Sequence, residues 1–331
     1  MGVAISQLLP KKQIQPADLA GKWLAVDAFN FIYAFLAAIR HRTTGEPLRD
    51  HRGRISSHLS GLWYRTISFL QAGIKPIYVF DGDFPRFKMR IVEKRRAARK
   101  TAERKWREAV RKGLPALKFA QAATAVDTPI LESSKTLLDL MGVPWVQAPS
   151  EGEAQCAWMC GQRLVFATAS QDLDSLLFGS PRLIRNLSII NGNNSGDNPR
   201  SDSIDPELIE LDDVLKKLEL TREQLVLLSL LVGTDYNEGI QGVGPTEALR
   251  WVKQKVTFEK VLATTPLACD ANIRKVYEFF LDPPHTTRVR LESKPLAVEK
   301  LRRFLVRDHD FSPERIESAL ERLKPAHTAA D

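Results

Sequence analysis

Aspartates follow three apolar segments of the chain and are the first residues that could do chemistry. The segments are KWLAVDAF (22–29), KPIYVFDG (75–82) and LVFATASQDLD (164–174), and the aspartates are Asp27, Asp81, Asp172 and Asp174. A buried strand rarely ends in a carboxylate without a partner, because a buried charge must be paired or coordinated. Since the carboxyl ends of parallel strands meet at one edge of a sheet, we expect these four aspartates to converge there.

Two more carboxylates, Glu151 and Glu153, stand in the stretch PSEGEAQ (149–155). One interpretation is structural, because Ser150 followed three residues later by Glu153 forms the capping box of a helix N-terminus. The other interpretation places both glutamates in one site with the aspartates. The two are compatible, since Ser150 can start the helix while Gly152 leaves room for both carboxylates to lean toward one site. The convergence of the aspartates favours a site that includes both glutamates.

A seventh carboxylate, Asp235, follows an apolar helix that is expected to end at Gly233. The glycine-rich turn GVGP (242–245) then opens another helix. Glycines let a backbone approach a ligand closely, and free N–H groups at a helix N-terminus face anions, so this pair of helices could hold a phosphate. The competing interpretation is the simple turn of a helical hairpin. The local sequence leaves both open.

The seven carboxylates together, named here the carboxylate cluster, require counter-charge. They are Asp27, Asp81, Glu151, Glu153, Asp172, Asp174 and Asp235. Either several of them are protonated or cations lie among them. Oxygen ligands without a set of Cys and His favour Mg²⁺ or Mn²⁺, and a pair of such ions would promote phosphodiester cleavage. The alternative class is a phosphate-recognising binding protein in which the acidic cluster is only structural.

A strongly basic block between Arg86 and Lys112 points to a polyanionic partner. It contains thirteen Lys or Arg and three Glu, a net charge of +10. Because the whole chain carries +8, the rest of the protein is slightly acidic. A basic block on an acidic body is typical of nucleic-acid binding, and the alternative is a solvated helix face.

Helical patterns separate the apolar segments and indicate the fold class. They cover residues 30–40, 56–73 and 133–142, and strand–helix–strand alternation predicts an α/β fold with a mostly parallel central sheet flanked by helices. The 331 residues suffice for one large domain. No apolar run approaches the length of a membrane span. Three cysteines without a disulfide or zinc pattern fit a reducing, intracellular compartment.

The chain resembles the flap endonuclease family of structure-specific 5′ nucleases, related to the XPG-type repair nucleases, and is close to the archaeal type. Five motifs carry the resemblance in order: VDAFNFIY, YVFDG, APSEGEA, SQDLDSLLFG and GTDYNEGIQGVGP. It extends from the first residues to about Leu323. It implies a PIN-like 5′ nuclease fold and a metal-dependent enzyme that removes 5′ flaps from branched DNA in replication and repair, with a 5′–3′ exonuclease side activity.

The resemblance also implies roles for individual residues. The carboxylate cluster would hold two Mg²⁺, for which Mn²⁺ can substitute. Lys88 and Arg95 match the pair that reaches the scissile phosphate, and Tyr33 matches an aromatic that stacks on the base at the cleavage site, with a plain core tyrosine as the alternative. Gly242 and Gly244 would grip duplex backbone with the help of K⁺. Further DNA contacts are expected at Gly2, Arg40, Arg96, Arg99, Lys100 and Arg104.

The resemblance divides one nuclease domain, residues 1–331, into four parts. They are an N-terminal nuclease part (1–83), a helical arch or gateway (84–128, the arch segment), an internal nuclease part (129–256) with a helix–two-turn–helix at about 221–256, and a C-terminal helical segment and tail (257–331). A sibling activity on the same scaffold cuts bubbles or four-way junctions, often with much longer insertions. The compact arch segment favours the flap enzyme. A non-catalytic, structure-specific DNA-binding protein is the non-enzyme alternative.

Two features depart from the family pattern. The usual proline-rich turn after the second strand is DGDFP here, with acidic Asp83 and bulky Phe84, which changes the approach to the arch segment and leaves the carboxylate cluster intact. Many members end in a Q-x-x-apolar-x-x-F-F peptide that docks on the sliding clamp, and this chain, whose last residues are KPAHTAAD, contains no such motif. Clamp binding therefore stays open. We expect a monomer that acts on branched DNA, is located with the genomic DNA, and has a polar, non-catalytic loop at 191–206.

Overall fold

The computed structural model describes residues 3–187, 206–255 and 257–327. Gly2 and all but the last residue of the polar stretch 191–206 lie outside the described residues.

A mostly parallel sheet forms the centre of the molecule, as the sequence predicts. Its strands are β1 (Lys12–Gln13), β2 (Trp23–Asp27), β3 (Lys75–Phe80), β4 (Trp145–Gln147), β5 (Ala167–Ala169), β6 (Arg182–Arg185) and β7 (Glu207–Glu210). Their order across the sheet is β1-β7-β6-β5-β2-β3-β4. Strands β6, β5, β2, β3 and β4 run parallel. Strand β7 pairs antiparallel with β6, and β1 pairs antiparallel with β7.

Apart from the terminal Asp27 and Lys75, the two central strands, β2 and β3, are largely apolar and buried, because helices cover both faces of the sheet. Successive side chains of a strand point to opposite faces. In β2, Leu24 and Val26 pack into the larger apolar cluster on one face, whereas Ala25 packs with Ile77 and Val79 on the other.

The third apolar segment forms a shorter strand than the sequence predicts. Of residues 164–174, only Ala167–Ala169 form β5. The chain turns at Ser170, whose Oγ accepts a hydrogen bond from the Asp172 N–H at 3.1 Å, and Asp174 begins a short helix. The turn moves Asp172 and Asp174 beyond the strand end rather than onto it.

The helices surround this sheet and extend into a second, helical layer. They are α1 (Ala28–Ala38), α2 (Ser57–Gln71), α3 (Met89–Arg111), α4 (Leu117–Ala122), α5 (Thr128–Met141), α6 (Gly152–Gly161), α7 (Asp174–Leu177), α8 (Leu211–Leu218), α9 (Arg222–Val232), α10 (Pro245–Lys255), α11 (Phe258–Thr264), α12 (Ile273–Leu281), α13 (Val298–Arg302) and α14 (Pro313–His327). A π-helical turn, Arg303–Arg307, follows α13.

The predicted helices are present, but two of them begin earlier than their apolar periodicity indicates. Helix α1 starts at Ala28 because Asp27 caps it by accepting a hydrogen bond from the Asn30 N–H. Helix α5 starts at Thr128, five residues before the predicted 133, because Asp127 caps it in the same way. Aspartate caps therefore set both boundaries.

The arch segment consists of a 3₁₀ turn (Arg86–Lys88) followed by α3 and α4. Within α3 only Ala109 is buried, so almost the whole basic helix is accessible to solvent. The far end of α3 is held by Trp106, whose Nε1 donates to the Thr44 carbonyl at 2.7 Å.

The pair α9 and α10 corresponds to the two helices around the GVGP turn. Helix α9 is capped at its start by Thr221 and ends at Gly233, and α10 begins at Pro245, which suits the first position of a helix. Gly242 has a φ of +84°, a conformation that glycine adopts without strain. None of the described helices combines the length and apolar character needed to cross a bilayer.

Candidate active site

The carboxyl ends of β2 and β3 bring the first two aspartates of the carboxylate cluster side by side. These strands pair in parallel, with Asp27 opposite Val79 and Asp81 two residues further along. Asp27 uses Oδ1 to accept the Asn30 N–H at 3.0 Å, and its Oδ2 lies 3.2 Å from the Ser170 hydroxyl. The cap on α1 thus fixes the orientation of the Asp27 carboxylate.

The structure corrects the expected capping box at Ser150. Helix α6 begins one residue later, with Glu151 as its N-cap residue and no capping hydrogen bond from that side chain. The cap comes from another strand, since Asp81 Oδ1 accepts the Gly152 N–H at 2.6 Å. The Ser150 carbonyl instead accepts the Gly82 N–H, also at 2.6 Å. A tertiary contact has replaced the local cap.

Gly152 leaves space beside the helix start, and the Asp81 carboxylate uses that space. A Cβ at position 152 would lie 2.7 Å from Asp81 Oδ1, closer than non-bonded atoms approach. The two glutamates that flank Gly152 reach different neighbours: Glu151 pairs with Lys88, and Glu153 turns toward Ser170 and Ser175. Both remain at the same edge of the sheet.

Glu153, Asp172 and Asp174 form the tightest part of the cluster. Each contributes a carboxylate oxygen, and these three oxygens lie within 4.8 Å of one another. Serine hydroxyls surround Glu153 Oε1, that of Ser170 at 3.0 Å and that of Ser175 at 3.1 Å. Because the Ser170 hydroxyl also lies near Asp27, its single proton can go to only one of these two carboxylates at a time.

The pKa values of this cluster show that its negative charge is under-compensated. Burial, with the charges of Asp172 and Glu151 adding, raises the pKa of Asp27 to about 6. Burial and the charges of Asp27 and Glu151 raise the pKa of Asp81 to about 7. Burial and the charge of Asp172 raise the pKa values of Glu153 and Asp174 well above the ordinary range.

The cluster therefore fits hard divalent cations. Its donors are carboxylate oxygens, and none of its members is a cysteine or a histidine. Four of its carboxyl groups, those of Asp27, Asp81, Glu153 and Asp174, have raised pKa values that a bound cation would lower. Three of its members already meet at distances that one ion could span. Neighbouring serines and backbone N–H groups orient the carboxylates in the way that outer ligands orient metal sites.

Two cations from the arch segment, those of Lys88 and Arg95, reach the cluster, and their expected contact with the scissile phosphate stays a prediction. Lys88 Nζ lies 2.8 and 2.7 Å from the two carboxylate oxygens of Glu151, and the Arg95 guanidinium pairs with Asp235. Burial lowers the pKa of Lys88, but the hydrogen bond to Glu151 and the charges of Glu151, Asp81 and Asp235 together outweigh burial, and the net shift is upward. Burial raises the pKa of Asp235, but the hydrogen bond from Arg95 and the charges of Arg95 and Lys88 together outweigh burial, and the net shift is downward.

Tyr33 lies on α1, and Arg40 follows two residues after the end of that helix. Tyr33 is half-buried, whereas Phe31 and Ile32 beside it are fully buried members of the core. The Arg40 guanidinium donates to the carbonyls of Leu36 and Gly45 and to the Thr124 hydroxyl, each at 2.7 Å. Arg40 thus braces the base of the arch segment, and its expected contact with DNA stays a prediction.

The remaining expected DNA contacts are accessible. Arg96, Lys100 and Arg104 are exposed at four-residue spacing on one face of α3, and Arg99 is half-buried beside them. Within the described parts of the chain, none of these four side chains forms an ion pair. At Gly242 and Gly244, an added Cβ would meet no atom within 4 Å, so the backbone there is open to a large ligand.

Sequence reasoning missed three contributors to the site. Ser170 and Ser175 contact Glu153, and the Val3 N–H donates to Asp174 Oδ1 at 3.0 Å. The hydroxyls flanking the acidic residues in SQDLDS were the available signal for the two serines. The backbone donor has no side-chain signature, and it lies 171 residues from its acceptor along the chain.

Comparison with protein families and with known proteins agrees with this geometry. Residues 1–102 match the XPG N-terminal domain, and residues 142–235 match the XPG I-region. The chain is 52% identical to flap endonuclease 1 of Pyrococcus abyssi over 329 residues, covering 98% of this chain and 95% of that protein. It is 51% identical to flap endonuclease 1 of Pyrococcus furiosus, covering 98% and 96% of the two chains.

Solved structures show the same architecture. Flap endonuclease-1 from Methanococcus jannaschii superposes with a TM-score of 0.79 at 33% identity, covering all of both chains. The catalytic core of Rad2 in complex with DNA substrate has a TM-score of 0.71 at 23% identity, covering 96% of this chain and 97% of that one, and shares the fold. With half of its residues identical to the Pyrococcus proteins over nearly the full length of each, this chain belongs to the flap endonuclease family.

Proposed function

We propose that this protein is a structure-specific 5′ flap endonuclease that hydrolyses a phosphodiester near the junction of a single-stranded flap and a duplex. The supporting observation is the meeting of Glu153, Asp172 and Asp174 at the sheet edge that Lys88 and Arg95 also reach. Ligand carboxylates and fixed cations side by side suit a reaction at a phosphate. Family membership supports the same reaction class.

The carboxylate cluster would hold two Mg²⁺, with Mn²⁺ as a substitute. When bound, such a pair of ions activates water and holds the attacking and leaving oxygens of the phosphodiester. The cluster suits this task because its ligands are hard oxygens of high net negative charge. A K⁺ ion beside Gly242 and Gly244 would help the backbone of the turn before α10 to hold a duplex phosphate.

Lys88 and Arg95 would stabilise the phosphate as it gains negative charge in the transition state. Both cations are pre-positioned by their contacts with Glu151 and Asp235, so they need little reorganisation to face a phosphate at the cluster. Tyr33, half-buried and outside the core clusters of the described residues, would stack on the base at the cleavage site.

The arch segment, residues 84–128, would receive the single-stranded flap, between the nuclease parts 1–83 and 129–256. Its exposed Arg96, Lys100 and Arg104 would steer the phosphate backbone. Duplex DNA would be gripped by the helix–two-turn–helix at about 221–256, and 257–331 would serve as a C-terminal helical support. We further propose that the protein acts as a monomer, has 5′–3′ exonuclease activity, and is located with the genomic DNA.

A cleavage panel tests the proposal. Flap, bubble, four-way junction and nicked duplex substrates of equal length are incubated with the protein in Mg²⁺ or in EDTA. We expect Mg²⁺-dependent incision with preference for the flap. Preference for the bubble or the junction would assign the sibling activity instead. Tight, Mg²⁺-independent binding with no cleavage of any substrate would establish a non-enzymatic DNA-binding protein.

A further inference from the structure

Large apolar side chains that remain exposed are concentrated in the arch segment. The described residues contain seven such side chains, and five of them lie between residues 84 and 117. These five are Phe84, Met89, Val110, Leu114 and Leu117. Phe84 is the one aromatic side chain among the seven in the described parts of the chain, and 46% of it is exposed. Proteins that bind single-stranded nucleic acids combine cationic side chains, which contact the phosphates, with exposed aromatic rings, which stack on the bases.

Phe84 lies close to the carboxylate cluster along the chain. It is three residues after Asp81 and four before Lys88. Three residues span at most about 11 Å, and a stacked strand rises about 3.4 Å per nucleotide. A base that contacts Phe84 is therefore within about three nucleotides of a phosphate that reaches Asp81.

The chain is anchored on both sides of Phe84. On one side, the Gly82 N–H donates to the Ser150 carbonyl at 2.6 Å, and a Cβ at Gly82 would lie 2.2 Å from the Ala148 carbonyl oxygen. On the other side, the Phe87 ring packs on the core and Lys88 reaches inward to Glu151. Between these two anchored points, 46% of Phe84 remains exposed.

The charges beside Phe84 argue against a phosphate contact at this position. Its neighbour Asp83 is exposed and acidic, so it repels the DNA backbone. The ring instead offers a π-face, which an unpaired base can stack on and a paired base inside a duplex cannot.

We propose that Phe84 stacks on an unpaired nucleobase of the DNA strand that is cut, within about three nucleotides of the scissile phosphate. The inference deepens the proposed flap endonuclease function, on which it rests, by assigning a base contact to a residue outside the carboxylate cluster and the cations. Stacking tolerates every base, so Phe84 selects unpaired strand over duplex and has no preference for sequence.

An abasic scan with the full chain tests this contact. Synthetic 5′-flap substrates carry a single abasic nucleotide at each of the positions flanking the incision, and kcat/KM and the Kd from fluorescence anisotropy are measured. On the intact flap, Phe84→Ala is expected to lower kcat/KM and raise Kd by about 5- to 150-fold. Phe84→Trp keeps both within about threefold of the wild type, because indole retains the π-face.

The decisive result is the combination of protein variant and substrate. At one abasic position, the kcat/KM of the wild type is expected to fall by the factor that Phe84→Ala loses on the intact flap. At that same position, Phe84→Ala is expected to show no further fall in kcat/KM. A penalty for Phe84→Ala that is equal at every abasic position, or no penalty on the intact flap, overturns the proposal. Anisotropy measures the base contact even if no substrate is cleaved, so a failure of the nuclease function is distinguished from a failure of the base contact.

Leu164 provides the matched control. It is also an exposed large apolar residue, at 37%, and precedes β5 at the opposite edge of the sheet from the carboxylate cluster. Leu164→Ala is expected to change neither constant. Both alanine variants should keep the wild-type melting temperature. A lower melting temperature for Phe84→Ala alone, together with a loss of cleavage that is the same at every abasic position, would show that the ring packs against protein instead.

Discussion

At the scale of single residues, Gly152 joins two parts of the carboxylate cluster. Its N–H holds the Asp81 carboxylate at 2.6 Å, and it separates Glu151 from Glu153 at the start of α6. The glycine is needed for this close approach, since a Cβ added at position 152 would lie 2.7 Å from Asp81 Oδ1. The Ser150 capping box is absent, Asp81 caps the helix instead, and a metal site that includes both glutamates stays a prediction.

Gly152→Ala should therefore separate stability from activity. Alanine favours a helix by about 0.5–1 kcal/mol over glycine, and the Asp81 carboxylate can rotate away, so the free energy of unfolding should change by less than about 1 kcal/mol. A ligand displaced by about 1 Å should lower the single-turnover cleavage rate by about 10²-fold. Gly161→Ala, on the same helix with no atom within 4 Å of the new Cβ, is the control. Full cleavage by Gly152→Ala would show that the position of Asp81 is unimportant.

The charge of Asp172 acts on three other carboxylates of the cluster. It raises the pKa values of Asp27, Glu153 and Asp174. Asp172→Asn should abolish cleavage yet melt no lower than the wild type in EDTA, because removal of one like charge relieves repulsion. Asp139→Asn, at an exposed carboxylate outside the cluster, should retain full activity. A marked loss of stability in Asp172→Asn, measured by thermal unfolding in EDTA, would make Asp172 a structural residue.

At the scale of elements, α3 and the turn before it are tied to the cluster by their cations. Lys88 and Glu151 are both mostly buried, with 14% and 12% of their side chains exposed, whereas the nearby Lys94–Glu238 pair is exposed to solvent. A buried, bidentate contact holds its geometry, and an exposed ion pair contributes about 0–1 kcal/mol at most. The arch segment is thus positioned at its base by the same residues that are expected to act on the phosphate.

Lys88→Ala should slow single-turnover cleavage far more than it weakens binding. Loss of a fixed donor to a phosphate in the transition state lowers rates by about 10²–10³-fold, while binding by many phosphate contacts should change by less than about tenfold. Rapid-quench rates and anisotropy on one flap substrate measure the two effects. Lys94→Ala should change neither. Equal losses in rate and affinity for Lys88→Ala would reduce Lys88 to a binding residue.

The contact between α2 and α5 predicts the response of the fold to acid. His58 on α2 is buried and its Nε2 lies 2.7 Å from the Ser133 hydroxyl on α5. Burial, with the charge of His309 adding, lowers the pKa of His58 to about 3. The neutral imidazole is therefore favoured in the folded state. Its contribution to the free energy of unfolding is complete above the ordinary pKa of about 6.5 and is lost as the pH falls from there toward 3.

Urea unfolding at pH 7, 5 and 4 measures this loss. The wild type should lose up to about 1.4 kcal/mol of unfolding free energy per pH unit below 6.5 through this group. His58→Gln should show a shallower slope, even if it is less stable at pH 7, and His41→Gln, at an exposed histidine, should keep the wild-type slope. Parallel slopes for all three proteins would exclude His58 as the source of acid sensitivity.

At the scale of the whole molecule, charge is divided between two regions. The carboxylate cluster concentrates negative charge at the sheet edge, while the block from Arg86 to Lys112 carries +10 beside it. Only two cations of that block, those of Lys88 and Arg95, pair with the cluster in the described residues. The other basic side chains remain available to a polyanion, and the cluster remains available to divalent ions.

Mg²⁺ should consequently stabilise the whole fold. Ions that bind only the folded cluster raise the unfolding free energy by about 2.7 kcal/mol at a hundred times their Kd. Thermal unfolding in Mg²⁺ should show a higher melting temperature than in EDTA at equal ionic strength set with NaCl. The shift should shrink in Asp172→Asn. An unchanged melting temperature at saturating Mg²⁺ would contradict metal binding at the cluster.

Much of this site could be predicted from sequence, because its main parts have local signatures. Apolar segments ending in Asp27 and Asp81 predict parallel strands that meet at one edge, and the structure has them as neighbours. The five family motifs contain all seven cluster residues. The alternation of strands and helices sufficed for the fold class, and the turn before Pro245 sufficed for the start of α10.

Only the tertiary structure decided how the carboxylates are held. The cap on α6 comes from Asp81, 71 residues away, and the hydroxyl of Ser170 reaches Asp27 across 143 residues. Local patterns predicted a capping box at Ser150 and a longer third strand, and both were wrong. The distant Asp81 caps α6 instead, and a turn at Ser170, whose hydroxyl accepts the Asp172 N–H, ends the third strand early. Sequence determines which groups are present and which elements form. The partner of each polar group depends on the segments that the fold brings beside it, and that information is not local to the chain.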